Sequence, residues 1–247
     1  MKETKSTPIT LRQVRQLLRA TASAADAVFL QRFFKTGPGE YGEGDKFLGV
    51  RVPATRQVVK QCGGLPLEDA RTLLHSKYHE ERLLALLILV RRFERGDEAM
   101  KQRVFELYLS ETRHINNWDL VDQSAPNIVG KWLLERPRDL LTRMTKSQHL
   151  WDRRIAVLAT FTFIRHSQFE DSLRLGEALL RDPHDLMHKA CGWMLREIGK
   201  RDEAVLEGFL EEHAAAMPRT MLRYAIERMP EARRRAWMET GKARGKR

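Results

Sequence analysis

Trp118 and Asp122 are the residues whose types and spacing most clearly allow chemistry. They lie four positions apart in the run Asn117-Trp118-Asp119-Leu120-Val121-Asp122, so a helix places both on one face, one turn apart. The apolar residues around that face are Ile115, Leu120, Val121 and Ile128. An acidic side chain on that face is either a structural residue whose charge is satisfied within the core, or a catalytic carboxylate beside an indole.

A second set of residues combines an aromatic ring with basic side chains. Lys189, Trp193, Arg196 and Lys200 follow one another at the spacing of a single helical stripe. Such a stripe suits a phosphate backbone. Gly192 costs a helix about 1 kcal/mol relative to alanine, which indicates that another part of the chain packs against this turn.

Helices must position these side chains, because strand signals are almost absent. Apolar residues recur at helical spacing throughout, and Trp151 continues into Ile155 and Leu158, which is typical of core. Helix-breaking glycine and proline residues divide the chain into roughly thirteen to fifteen helices, and pairs of helices recur about every 35 to 40 residues. We therefore predict an all-α, HEAT-like helical-repeat solenoid, whose concave face is lined by the second helix of each pair. A non-repetitive helical domain is the alternative, because no repeat consensus is detectable.

The segment from Thr36 to Asp45 breaks this pattern with four glycines and one proline in ten residues. It is either a long connection between two helices or a mobile loop that presents Tyr41 and a backbone able to approach a ligand closely.

Charge suggests an anionic partner. The formal net charge is +11, but residues 228–247 hold eight basic and two acidic residues, a net +6. We expect a single solenoid domain over residues 1–240 and a basic flexible tail over 241–247 that adds non-specific attraction. The rest of the chain, residues 1–227, carries the remaining net charge of about +5.

Several functional classes lose support. A mean hydropathy of −0.49 and the lack of a long apolar run argue against a membrane span, and no secretory signal is readable after Met1. Cys62 and Cys191 fit a reducing cytoplasm and are expected to be small core residues. No glycine-rich phosphate motif, HExxH, CxxC or Ser-His-Asp order occurs.

Three strings, in this order and separation, resemble those of the AlkD-like DNA alkylation repair glycosylases. They begin at Asn117, Trp151 (Trp151-Asp152-Arg153-Arg154-Ile155-Ala156) and Gly192 (Gly192-Trp193-Met194-Leu195-Arg196-Glu197). The run Phe47-Leu48-Gly49-Val50-Arg51-Val52-Pro53 also resembles that family, and the likeness covers roughly residues 25 to 230.

The resemblance implies a HEAT-like solenoid with a concave basic DNA-binding groove. It also implies an enzyme that holds duplex DNA in this groove and hydrolyses the glycosidic bond of N3- and N7-alkylated purines without flipping the base. Asp122 matches the catalytic carboxylate, Trp118 and Trp193 the aromatics that cradle the lesion's sugar and backbone, and Arg154 a phosphate contact. Phe33 stands where the family has a tyrosine, and Tyr41 is the candidate to supply the missing hydroxyl.

The sequence thus predicts a cytoplasmic, bacterial and nucleoid-associated monomer that acts on alkylated double-stranded DNA without cofactor, metal or membrane. Lys189 and Arg196 are expected to contribute to DNA binding. The alternative is a helical-repeat scaffold that binds DNA without catalysis, in which Asp122 caps a helix or pairs with an arginine.

Overall fold

The computed structural model describes residues 9–240, and within this range the chain is helical. No strand occurs among these residues; Lys46 and Tyr78 form an isolated parallel bridge. Fifteen α-helical segments lie in the described range, together with a 3-10 turn (Thr112–His114) and a π-helical segment (Pro126–Gly130). The α-helices are α1 (Leu11–Arg19), α2 (Ala24–Phe33), α3 (Val52–Gln61), α4 (Leu67–Leu74), α5 (His79–Arg95), α6 (Glu98–Ser110), α7 (Trp118–Ala125), α8 (Lys131–Leu133), α9 (Asp139–Met144), α10 (Leu150–Arg165), α11 (Glu170–Ala178), α12 (Asp185–Gly199), α13 (Glu203–His213), α14 (Arg219–Ala225) and α15 (Glu231–Thr240). The all-α prediction is confirmed.

Backbone contacts group the chain into two compact units, Met1–Ser124 (unit 1) and Ala125–Arg247 (unit 2). The single domain over residues 1–240 and the concave groove stay predictions. The predicted basic tail, residues 241–247, lies outside the described residues.

Helix α5 is the centre of unit 1. It packs against α3, α4 and α6, and its apolar residues from Leu83 to Leu89 are buried on all sides, as expected for a helix that is apolar all round. Side-chain caps fix the start of several neighbours: Thr10 forms a capping box with Gln13 at α1, and Asp97 accepts from the Met100 amide at α6.

Unit 2 shows the predicted repeat. Helices α10, α12 and α14 pack in succession, and the helix between each two of them packs against α12. The three helices begin at Leu150, Asp185 and Arg219, so their starts lie 35 and 34 residues apart. Helix pairs therefore recur at the expected spacing, in the arrangement of a helical repeat.

The residues assigned to the core are buried as expected. Trp151 is 5% exposed, Cys62 0% and Cys191 2%. Burial raises the pKa of Cys62 to about 11 and that of Cys191 to about 12, so neither thiol is a nucleophile at neutral pH. Within the described range, no helix has the length and apolar character that a membrane span requires.

Candidate active site

Helix α7 places Trp118 and Asp122 as predicted. The helix begins at Trp118, so the two residues lie one turn apart, and both are partly exposed. The apolar residues expected around them are fully buried: Ile115, Leu120, Val121 and Ile128. Four residues after Asp122, Pro126 begins the π-helical segment, a type of irregularity that is frequent at functional sites.

Aromatic rings from α2 and the glycine-rich loop hold the Trp118 indole. Phe34 stacks on it with ring centroids 5.2 Å apart, and Phe33 meets it edge-on at 6.0 Å. The indole Nε1 donates a hydrogen bond of 3.1 Å to the Tyr41 hydroxyl. Tyr41 therefore contacts Trp118 directly, and a role of the loop in ligand binding stays a prediction.

Hydrogen bonds with Gln31 and Lys35 fasten the glycine-rich loop to the end of α2. Gln31 Nε2 donates to the Asp45 carbonyl at 2.8 Å, and the Gly42 amide donates to the Lys35 carbonyl at 3.1 Å. A Cβ atom on Gly42 would lie 2.5 Å from the Phe34 carbonyl oxygen. Glycine is thus required there, because the loop folds directly onto the end of α2.

A buried ionic cluster joins this loop to α7. His79 lies between two carboxylates, with Nδ1 at 3.1 Å from Asp45 Oδ2 and Nε2 at 2.8 Å from Asp119 Oδ2. Arg82 donates to Asp45 Oδ1 at 2.6 Å. Asp119 directly follows Trp118, and Asn117 Nδ2 reaches Asp45 Oδ2 at 3.5 Å. The cluster therefore fixes the loop and the first turn of α7 to the same helix, α5.

The cluster is internally balanced in charge. Burial opposes a charge on His79, but the charge of Asp119 and the hydrogen bonds to Asp119 and Asp45 outweigh it and raise the pKa of His79 to about 9. Burial also opposes ionisation of Asp45, yet its bonds with His79 and Arg82 hold the pKa of Asp45 below its usual value. One imidazolium and one guanidinium thus face two carboxylates.

Sequence reasoning missed this cluster, because the start of α5, His79-Glu80-Glu81-Arg82, is typical of an exposed first turn. All four side chains are buried. Glu80 accepts hydrogen bonds from the amides of Leu48, Gly49 and Val50 at 2.9, 2.8 and 3.1 Å. The signal available was four consecutive charged residues directly before a long apolar run.

Asp122 also lies close to a buried phenol. Burial, and to a smaller degree the charge of Asp122, raises the pKa of Tyr108. The Tyr108 hydroxyl is 2.9 Å from Ser124 Oγ. The phenol therefore stays neutral and does not add charge beside the aspartate.

In unit 2, Gly192 allows α12 and α14 to touch. A Cβ atom at this position would lie 2.4 Å from the Met221 carbonyl oxygen and 2.6 Å from Tyr224 Cβ. The expectation that something packs against this turn is confirmed. Trp193 is partly exposed, tilted against Phe161 at 5.7 Å, and its Nε1 donates to Glu197 at 3.3 Å.

The basic side chains of the α12 stripe all have acidic neighbours. Lys189 pairs with Asp185 at 2.8 Å and Lys200 with Glu197 at 2.8 Å. Arg196 pairs with Glu227. The pairs of Lys189 with Asp185 and of Arg196 with Glu227 join solvent-accessible groups, and such pairs are weak, about 0 to 1 kcal/mol, so a phosphate can compete for these two cations. Glu197, the partner of Lys200, is buried. The contact of these basic side chains with DNA stays a prediction.

Arg154 is 5% exposed and donates to the Leu186 carbonyl at 2.7 Å. This bond links α10 to the start of α12, so Arg154 has a packing role within unit 2. Its phosphate contact stays a prediction.

Phe33 belongs to an exposed apolar face of α2. The exposed fractions are 65% for Val28, 44% for Phe29 and 52% for Phe33. Arg51 lies over the Phe29 ring, 4.9 Å from its centroid, and pairs with Asp26 at 2.5 Å. Flat rings with a guanidinium beside them favour contact with nucleic acid.

Comparison with known proteins identifies the family. The family model described as DNA alkylation repair enzyme matches residues 14–229. The chain belongs to this DNA alkylation repair family. A solved structure, a predicted DNA alkylation repair enzyme from Enterococcus faecalis, is similar with a TM-score of 0.66 and 15% identity over 85% of this chain and 98% of that one. No curated protein sequence matches.

The range matched by the family model includes every predicted site residue, because it begins before Phe33 and ends after Arg196. A role in alkylation repair, with DNA as substrate, follows from membership of this family. The structural likeness, at 15% identity, supports the fold.

Proposed function

We propose that this DNA alkylation repair protein is a monofunctional glycosylase that hydrolyses the N-glycosidic bond of cationic N3- and N7-alkylated purines in duplex DNA, without base flipping. The observation that carries the proposal is the partly exposed Asp122 one turn from Trp118, on a helix whose first turn is anchored by the buried cluster. A partly exposed carboxylate one helical turn from an aromatic residue suits a reaction that generates positive charge.

The chemistry follows from the charge of the lesion. In 3-methyladenine or 7-methylguanine the base is cationic, so it takes the electron pair of the breaking bond and leaves as a neutral molecule. The sugar acquires oxocarbenium character, which the Asp122 carboxylate stabilises. A water oxygen then bonds to C1′ and releases a proton to Asp122 or to solvent.

The remaining residues bind and orient. The Trp118 face and the exposed rings of α2 would pack against sugar and backbone, as cation–π and apolar contacts allow. Trp193, Lys189, Arg196 and Arg154 would position the DNA backbone of the duplex, which carries no sequence information. The protein would thus act as a monomer on DNA without a cofactor.

The direct test is single-turnover base release from duplexes that each carry one defined lesion. We expect Asp122→Asn to slow release of 7-methylguanine by roughly 10²-fold or more, with little change in DNA affinity. Asp139→Asn, at the exposed start of α9, is the matched control and should retain the wild-type rate.

The lesion panel tests the mechanism. Cationic 3-methyladenine and 7-methylguanine should be released, whereas hypoxanthine, uracil and 1,N6-ethenoadenine should stay in place because they are poorer leaving groups. The abasic product should remain unnicked before alkali, because no amine nucleophile is assigned. Release of hypoxanthine, or equal rates for Asp122→Asn and wild type, would contradict the proposal; DNA binding with no release of any lesion would indicate a scaffold.

A further inference from the structure

Three potential metal ligands meet at the ends of two helices in unit 1. His75 follows α4, Glu111 follows α6, and His114 ends the 3-10 turn that leads toward α7. One ligand atom from each lies within 4.8 Å of the others. The group is separate from the ionic cluster around His79, and the proposed glycosylase chemistry does not use it.

Both imidazoles point at the same carboxylate oxygen. His75 Nε2 is 2.7 Å from Glu111 Oε2, and His114 Nε2 is 3.8 Å from it. The two rings stack with centroids 4.0 Å apart. Ligand atoms of a tetrahedral zinc ion are about 3.4 Å apart, given bonds of about 2.1 Å. Small side-chain rotations therefore suffice to admit an ion.

A neighbouring arginine orients this carboxylate for coordination. Arg71 Nε donates to Glu111 Oε1 at 2.5 Å, which orients the carboxylate and leaves Oε2 to the histidines.

We propose that His75, Glu111 and His114 bind one divalent ion of the borderline class, with Zn²⁺ as the representative. Two imidazoles and a carboxylate suit zinc, and not the all-oxygen shells of Mg²⁺ or Ca²⁺. The histidine side chains are 44% and 41% exposed, so an ion can enter, and a water can complete the coordination. The ion would clip the end of α4 to the segment before α7.

The nearby Arg71 opposes a second positive charge, so we expect a moderate affinity, with a Kd on the order of 10 μM or tighter. The full chain, purified without a polyhistidine tag and stripped with EDTA, is titrated with Zn²⁺ by calorimetry. Co²⁺ is titrated in parallel, because its visible absorption reports four-coordination. Variants His75→Gln and His114→Gln are compared with wild type, and circular dichroism checks that each is folded.

The matched control is His213→Gln. His213 also has a glutamate neighbour, with Nε2 at 3.6 Å from Glu212, but it is outside the three-residue group. We expect one Zn²⁺ per chain, binding at least tenfold weaker in both cluster variants and unchanged in the control, and a Zn²⁺-dependent rise in Tm only in wild type and control. If wild type does not bind Zn²⁺, or if the control loses as much Zn²⁺ affinity as the cluster variants, the proposed metal site is wrong. Base release should proceed in EDTA, so failure here leaves the glycosylase proposal unaffected.

Discussion

At the scale of single residues, Trp118 depends on its neighbours for its orientation. Its ring is stacked on Phe34 and its Nε1 is bonded to the Tyr41 hydroxyl. These two contacts fix the plane and the rotation of the indole, and hence the surface that it offers beside Asp122. In the proposed reaction, Tyr41 would therefore be a positioning residue that acts through Trp118.

Replacing Tyr41 with phenylalanine should slow excision because it removes the acceptor for the indole N–H. We expect roughly a three- to tenfold fall in the single-turnover rate at saturating DNA, equivalent to about 1 kcal/mol for one hydrogen bond. The tryptophan fluorescence of the folded protein, to which Trp118 contributes as one of five tryptophans, should change as well, while the free energy of unfolding should stay close to that of wild type. Tyr78→Phe controls for loss of a phenol hydroxyl elsewhere in unit 1; an equal loss there would contradict the role of Tyr41.

At the scale of elements, the cluster of Asp45, His79, Asp119 and Arg82 connects the glycine-rich loop, α5 and α7. The raised pKa of His79, about 9 against 6.5 for a free imidazole, ties this connection to pH. Because the folded protein binds the proton more tightly than the unfolded chain, protonation contributes stability that is fully present below pH 6.5 and is lost as pH rises through 9.

His79→Gln should therefore lower the free energy of unfolding most at pH 6, by about 3 kcal/mol, since it leaves buried carboxylates without their cation. The difference from wild type should shrink between pH 6.5 and 9. Urea unfolding at a series of pH values measures it. His166→Gln, a histidine at the end of α10, is the control, and a difference that stays constant with pH would count against a protonated His79.

The α12–α14 contact yields a second prediction at this scale. Gly192→Ala forces a methyl group against the Met221 carbonyl oxygen, so we expect a loss of about 1 to 3 kcal/mol in stability. Gly208→Ala in α13 is the matched control, since nothing lies within 4 Å of its added Cβ. That change should be neutral or stabilise by up to about 1 kcal/mol. The midpoint of thermal unfolding, measured for both variants, tests this prediction. An equal change of stability in the two variants would contradict close packing at Gly192.

At the scale of the whole molecule, we expect the net charge of +11 to assist the search for DNA. Removal of residues 241–247 deletes four basic side chains, so we expect weaker binding to undamaged duplex. The slope of the logarithm of the binding constant against the logarithm of the salt concentration should fall in magnitude by at most about 4. The rate of excision at saturating DNA should not change. A charge-neutral variant with the four cations replaced by glutamine controls for length, and a large loss of rate at saturation would show that the tail belongs to the active site.

The sequence by itself determined the helical class, the repeat spacing and the relation of Trp118 to Asp122, because these depend on local periodicity and on distances along one helix. It also indicated a contact at Gly192, since a helical glycine has a cost. Only the tertiary structure decided that the His79-Glu80-Glu81-Arg82 turn is buried, that Tyr41 bonds to Trp118, and that Arg196 pairs with Glu227. The group of His75, Glu111 and His114 was likewise invisible to local motifs, and the sequence led us to expect no metal. Each of these contacts joins residues that lie far apart in the chain or depends on which face of a helix is covered, and packing alone decides both.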